Sequence, residues 1–505
     1  MQVIRNTTRL AYLGWLLARN DALEVLEPTN VPRYLLRALR FIARGNNNLS
    51  LGERLAKVAI LAGPTFIKLG QAVSTRADLF GPEITHELAK LRDRLPSFPA
   101  EQAKNTISKE LGEPIEQLFS SFEDTPIAAA SIAQVHFATT LMGEKVAIKI
   151  LRPDIEKAFS RDLELLRWTA QLATSLRPTL KRLRLGEAVE TLAETTRIEM
   201  DLRLEAAAAA ELHENFKTDP TYNVPKIFWK YTSRRVLTTS RVSGTPIDEI
   251  KYLENNFCMD KVLQHASRAM FTQIFRDGFF HGDPHPGNLL VDRDGNIQAV
   301  DFGIMGRLDM QSRIYIAETL LCIFTRQYDR AAQLHIKAGY VPPDTSMTAF
   351  SLALRSIAEP ILNMPAADIS VGSLLGHLFQ VTDTFGMETQ PHLLLLQKVV
   401  VMAEGTARNL NPSLDIWEVV HPLIENWVKI RTAPETQLGE AAKTLQELVR
   451  HSPHLLSKFE AALAVTAAGK GPASQRTAQP TRGLKLPFWL TAIGIWFLVL
   501  VTLLG

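Results

Sequence analysis

Cysteine is nearly absent from this sequence: among 505 residues there are only Cys258 and Cys322. They lie far apart, and neither belongs to a Cys-x-x-Cys or Cys/His cluster. A disulfide scaffold and a zinc site are therefore excluded, and two buried core thiols in a reducing compartment are expected. Excess charge is missing as well. Lys and Arg total 56 against 53 for Asp and Glu, a net charge of +3, which gives no reason to expect nucleic acid as a partner, since its binders usually carry a basic face. The first residues do not read as a secretory signal. The apolar run Leu10–Ala18 is followed at once by Arg19, Asn20 and Asp21, with no small-residue cleavage site. An ordinary packed helix is expected there. The rest is the bulk of a globular protein, 46% hydrophobic and 22% charged, long enough for a large two-lobed domain.

The hydrophobic period changes along the chain. Residues 1–99 read as helical, with Pro64 placed for the first turn of a helix and a proline-rich linker at Leu95–Pro99. Residues 100–245 mix strands and helices. Lys145-Val-Ala-Ile-Lys-Ile150 is short and β-branched, which suits a strand, as do Val224–Phe228 and Arg235–Thr239. Residues 154–214 are helical. Residues 246–468 are mainly helical, broken by a strand pair near Asn288–Val291 and Ile297–Val300 with a turn at Asp294-Gly295. Residues 469–485 are rich in Gly, Pro, Ser, Thr and basic residues and read as a flexible tether. Residues 486–504 are uncharged over about the length a helix needs to cross a bilayer. Arg482 and Lys485 flank that stretch, which predicts a cytoplasmic body.

The strongest chemical signal is His281-Gly-Asp-Pro-His-Pro-Gly-Asn288, followed by Asp301-Phe-Gly303. Phosphoryl transfer from ATP needs an acidic group beside the nucleophile and metal ions that bridge the phosphates. Asp283 has the spacing of a catalytic base from Asn288, a metal ligand. Asp301, after the strand pair, fits the second Mg²⁺ ligand. His281 and His285 do not form a zinc pair, because Pro284 and Pro286 forbid the helix that would put them on one face. His281 is expected to be a structural hydrogen-bonder.

Upstream, Val146-Ala-Ile-Lys149 matches the strand whose lysine holds the α- and β-phosphates. A glycine-rich loop should precede it and is missing. In its place stands Pro126–His136, with Ala128, Ala129, Ala130, Ser131, Ala133 and Val135 as the expected ATP-contacting residues. Alanine permits a tight hairpin but not the positive-φ freedom of glycine, so altered closure over the γ-phosphate is expected. Lys149 needs a carboxylate from a nearby helix, and Glu194, Glu199, Asp201 and Glu205 each meet that need. In Pro64–Gln71, Lys68 and Gln71 share one helical face among apolar neighbours. Snorkelling to water is the default for such a lysine.

Taken together, KLGQ (68–71), AAAS (128–131), VAIK (146–149), EMD (199–201), HGDPHPGN (281–288) and DFG (301–303) resemble the UbiB family of atypical kinases, also called the ADCK or aarF-domain family. The resemblance covers roughly residues 50–310. It implies an α+β, bilobal protein-kinase-like fold with a helical N-terminal extension and a C-terminal transmembrane helix. It implies that Lys68 faces Glu199 and Asp201, that Glu205 pairs with Lys149, and that Lys68, Gln71, Glu199, Asp201 and Glu205 act as a regulatory set. It further implies Mg²⁺-dependent ATP binding and hydrolysis in ubiquinone biosynthesis at the bacterial inner membrane. Isoprenoid lipids or ubiquinone precursors and other proteins of that pathway are the partners it implies. The alternatives are a true protein kinase and a nucleotide-binding pseudokinase scaffold. The chain departs from the family pattern in having Ser240 where members often place an acidic residue, and one C-terminal membrane helix rather than two. It also carries no Ser/Thr-rich activation loop after Asp301-Phe-Gly303.

Overall fold

A computed structural model describes residues 2–24, 49–74, 81–92, 96–176, 185–362, 385–387, 391–411 and 416–432. These fall into two compact units. The first holds the described residues up to Thr245 together with Asn288–Ile304. The second holds Pro246–Gly287 and the described residues from Met305 onward.

In the first unit, α1 (Gln2–Arg19) buries Leu10, Leu13, Leu16 and Leu17. Helix α2 (Leu51–Ala62) starts at a capping box. The Glu53 amide donates to Ser50 Oγ at 3.2 Å and the Ser50 amide to Glu53 Oε2 at 2.7 Å, so two otherwise unpaired donors at the helix start are satisfied. Gly63, at φ 110°, turns the chain into α3 (Pro64–Val73), which begins on Pro64 as expected. Helix α4 (Pro82–Ala89) packs against α2 and α3. After α5 (Ala100–Leu111), strands β1 (Phe119–Phe122), β2 (Ala128–Ala129), β3 (Ala133–Thr140) and β4 (Lys145–Leu151) are joined antiparallel. The long helix α6 (Ile155–Leu176) follows, then α7 (Leu185–Glu199), α8 (Leu202–Phe216), the short β5 (Tyr222–Asn223) and β6 (Val236–Ser240).

The order β1-β3-β4-β6 leaves β4 central, with Val146, Ile148 and Ile150 fully buried on one face. That is the period-2 pattern of a half-buried strand. Ala103 and Ile107 of α5 cover this face together with Phe119, Tyr231 and Val236. The helical extension is tied to α6 by Asp162, which is inaccessible to solvent. It pairs with Arg9 of α1 at 3.0 Å and accepts from Thr65 Oγ of α3 at 3.1 Å.

Helices α9 (Ile250–Asn256) and α10 (Met259–Phe271) open the second unit. Four short strands follow in the chain: β7 (Phe279–His281), β8 (Leu289–Val291), β9 (Ile297–Ala299) and β10 (Met305–Arg307). β8 and β9 belong to the first unit, where they form an antiparallel hairpin and β9 lies parallel to β5. β7 and β10 belong to the second and pair antiparallel, His281 opposite Met305. Gly306 is obligatory in that pair, since a Cβ there would lie 2.1 Å from the Phe280 ring. The remaining helices are α11 (Met310–Phe324), α12 (Tyr328–Lys337), α13 (Met347–Leu362), α14 (Pro391–Leu410) and α15 (Ile416–Thr432). Phe275, Phe280, Ala317, Val399, Ile424 and Val428 form a core among them.

Two expectations need correction. Val224–Phe228 is not a strand, because Pro225 lacks an amide donor. Ile227 makes only an isolated bridge to Thr239. Cys258 is exposed, not buried, at the turn between α9 and α10; Cys322 is buried. Among the described residues no helix is long and apolar enough to cross a membrane. The expected tether at 469–485 and membrane helix at 486–504 lie outside the described residues.

Candidate active site

Lys149 sits near the end of β4, on the face opposite the buried Val146, Ile148 and Ile150. Its ammonium donates to both carboxylate oxygens of Glu205, at 2.8 and 2.9 Å, and lies 3.1 Å from Asp301 Oδ1. Of the four carboxylates open to it from sequence, the structure brings Glu205. The reason is helical phase. Leu202, Glu205, Ala206, Ala209, Leu212 and Phe216 form the buried stripe of α8, so Glu205 projects inward.

Burial opposes the charge on Lys149, but the carboxylates of Asp301 and Glu205 outweigh it and raise the pKa above that of an ordinary lysine. Burial pushes the Glu205 carboxyl up against the lowering by Lys149, and the Asp301 charge adds to the rise. One ammonium and two carboxylates leave the trio short of positive charge. Asp301 is the more open of the two carboxylates, its side chain 44% exposed against 8% for Glu205.

Asp301 has φ 61°, in the left-handed region that few non-glycine residues occupy. Its Oδ1 accepts from the Gly303 amide at 3.2 Å. Gly303 fits because a Cβ there would come 3.3 Å from that oxygen. Asn288 is set beside Asp301 by the β8–β9 hairpin. Leu289 faces Ala299, and the Val300 amide donates to the Asn288 carbonyl at 2.9 Å, so the two residues leave adjacent strand ends. Both offer hard oxygen donors, which suit Mg²⁺. Among the described residues no three His, Cys, Asp or Glu side chains converge as a metal cage.

The alanine-rich segment is part of the sheet. Ala128 and Ala129 pair with Val135 and Gln134, and the Ala130 amide donates to the Ala133 carbonyl at 2.8 Å, closing a tight turn around Ser131. No residue of the turn has positive φ. Ala133 and Ser131 are buried, Val135, Ala129 and Ala130 partly so, and Ala128 is exposed. Arg152, which motif reading missed, pins this turn by donating through Nε and Nη2 to the Ala130 carbonyl at 3.1 and 3.0 Å. Ser240 Oγ accepts from the Lys226 amide at 2.9 Å, so its hydroxyl serves the local backbone.

Lys68 of α3 reaches Glu199, the last residue of α7, at 2.6 Å. Asp201 is turned elsewhere. It caps α8 through the Arg203 amide and binds the Arg203 guanidinium, whose hydrogen bonds hold its carboxyl below the usual range. Gln71 Nε2 makes a long contact, 3.4 Å, to the Leu91 carbonyl.

Asp283 belongs to the second unit, in the loop that leaves β7. Its amide donates to His281 Nδ1 at 3.1 Å, and the His281 amide donates to Gln273 Oε1 at 2.9 Å. His281 is thus a buried structural hydrogen-bonder. Lys398 Nζ of α14 donates to Asp283 Oδ1 at 2.8 Å. Motif reading missed Lys398. Its signal is that it is the single charge in the apolar run Leu393–Met402.

A central-strand lysine clamped by a helix carboxylate and a DFG aspartate is the arrangement of a protein-kinase-like core. Residues 90–335 match the ABC1 atypical kinase-like domain and residues 354–415 the UbiB helical domain. The chain belongs to the UbiB family of atypical kinases. A protein of Marinobacter nauticus described as "Probable protein kinase UbiB" is 42% identical over 412 residues, covering 81% of this chain and 75% of the relative. One of the same description from Aeromonas salmonicida is 38% identical over 448 residues, covering 85% and 82%. The fold is similar to that of Rv3197 from Mycobacterium tuberculosis, solved in complex with erythromycin. The TM-score is 0.51 at 24% identity, over 78% of this chain and 98% of that one.

Proposed function

We propose that the chain binds Mg-ATP and hydrolyses it in support of ubiquinone biosynthesis, with turnover coupled to the handling of isoprenoid or ubiquinone-precursor lipids. Membrership of the UbiB family supports the pathway. The observation that carries the nucleotide reading is the Lys149–Glu205–Asp301 cluster. A lysine fixed by a buried carboxylate is preorganised for phosphate oxygens. An exposed, negatively charged Asp301 beside Asn288 is suited to a divalent cation. Asn288 and Asp301 would hold Mg²⁺, which when bound neutralises charge on the phosphates. Lys149 anchors the α- and β-phosphates, the Ala128–Val135 segment covers them, and Asp283 takes the proton of the attacking oxygen.

Lys68, Gln71, Glu199, Asp201 and Glu205 form the regulatory set of this reading. Lys68 holds Glu199 at the end of α7, and Asp201, two residues on, caps the helix that carries Glu205 to Lys149. A shift of α3 is thereby relayed to the phosphate-anchoring lysine. Segment 486–504 anchors the protein in the bacterial inner membrane, with the body in the cytoplasm and other ubiquinone-biosynthesis proteins as partners.

The test is Mg²⁺-dependent ATP hydrolysis by the full chain, with and without phenolic or isoprenoid lipid, against Asp301→Asn and Lys149→Arg. Lipid-stimulated turnover that Asp301→Asn abolishes, with no phosphate on added proteins, is expected. Phosphate transferred to a protein instead makes it a protein kinase. Nucleotide binding without turnover under any additive makes it a scaffold.

A further inference from the structure

Between His281 and Asn288 the loop contains no lysine or arginine. Transfer of a phosphoryl group draws negative charge toward its base, and that charge needs a preorganised cation. A positive charge next to Asp283 comes from 115 residues further along the chain, where Lys398 Nζ lies 2.8 Å from Oδ1. The fold explains the reach. Helix α14 packs on β10, the partner of β7, and β7 runs directly into the loop. Val399, next to Lys398, is locked in the core at 1% exposure. The lysine stem is therefore fixed while its head meets the carboxylate. The two side chains are 30% and 23% exposed, so the pair is reachable by a bound molecule. A pair this open stabilises the fold little, so folding alone is a weak reason for a lone charge in an apolar helix face.

We infer that Lys398 is a positioning residue for Asp283 and the cation that the loop itself lacks. This rests on the reading of Asp283 as the base. As the nucleophile's oxygen bonds to the γ-phosphorus, its proton passes to the Asp283 carboxylate. The bond from γ-phosphorus to the β–γ bridging oxygen breaks, and its electron pair leaves with ADP. Lys398 keeps its proton throughout. It holds the carboxylate in one orientation and places a fixed positive charge beside the developing negative one.

The experiment compares the full chain with Lys398→Met and Lys398→Arg, with Asp301→Asn as the control. For Lys398→Met, kcat is expected to fall roughly 100-fold, the cost of misplacing a reacting group, while KM for ATP stays nearly unchanged. Lys398→Arg is expected to restore most of the rate. Binding supplies a readout that needs no turnover. The wild type should bind Mg-ADP with aluminium fluoride more tightly than Mg-ADP alone. Lys398→Met should lose that gain and bind Mg-ADP as before, because only the transition-state-like complex uses the ammonium. An unchanged unfolding temperature shows that the fold is intact; if Lys398→Met does not fold, Lys398→Gln carries the same comparison. Wild-type turnover and wild-type aluminium fluoride binding in Lys398→Met would overturn the inference. So would faster turnover, which makes the ion pair a lock on the base. A wild type that binds no nucleotide overturns the ATPase reading beneath it.

Discussion

Lys68 lies 2.6 Å from Glu199, and the Glu199 side chain is only 9% exposed. The buried Oε2 has no hydrogen-bond partner, and the Lys68 ammonium is its ion-pair partner. An isolated lysine on an apolar helix face would send its head to water; here a buried anion holds it. Removing the lysine leaves that anion uncompensated, which costs more than the pair contributes when intact. Lys68→Met is expected to lower stability by about 1–3 kcal/mol. Adding Glu199→Gln to the same chain should recover at least half of the loss. Denaturant unfolding of the two single variants and the double variant measures the coupling. Additive losses would show that the two residues do not interact.

Asp301 carries two demands, the charge that the proposed Mg²⁺ site needs and a backbone in the left-handed region. They separate by substitution. Asn tolerates this backbone nearly as well as Asp, and its side-chain oxygen still suits the Gly303 amide. Asp301→Asn is expected to unfold within about 1 kcal/mol of wild type, since only a half-exposed ion pair is weakened, and to show no Mg²⁺-dependent turnover. Asp301→Val adds the backbone penalty, roughly 1–2 kcal/mol. Equal stability of the two variants would mean that the left-handed conformation is not held in solution.

Much of the site was legible because kinase-like chemistry leaves short, rigid signatures. Val146, Ile148 and Ile150 alternate, so the strand that presents Lys149 shows in the sequence. The Leu289–Ala299 hairpin that sets Asn288 beside Asp301 announces itself at Asp294-Gly295, and Gly295 does adopt φ 79°. The choice of Glu205 was less visible from spacing, although it stands in an apolar stripe where an acid calls for a partner. What motif reading missed depends on contacts between distant segments. Arg152 follows a strand like any solvated arginine, and only the folded turn brings the Ala130 carbonyl to it. Lys398 acquires its meaning from α14 packing on β10. Asp201 reads as a second anion for Lys68, yet the adjacent Arg203 and the need to cap α8 claim it first.

The last expectation concerns acid. His136 is fully buried on β3, stacked on Phe122 at 4.8 Å. Its Nδ1 lies 2.8 Å from the Glu123 carbonyl and its Nε2 2.8 Å from Gln134 Nε2, which is itself a donor to the Phe98 carbonyl. The neutral ring satisfies both contacts, with Nδ1–H donating and Nε2 accepting. A second proton on Nε2 would face the donor of Gln134, and burial lowers the pKa below the ordinary 6.5. The unfolded chain therefore binds a proton below pH 6.5 that the folded chain refuses. Stability from this group is complete above that pH and declines as pH falls through it toward the depressed folded value, by at most about 1.4 kcal/mol per pH unit. The urea midpoint should drop between about pH 7.5 and pH 5.5, and His136→Gln, which cannot titrate, should flatten that drop. An identical slope in the variant would assign the acid sensitivity to other groups.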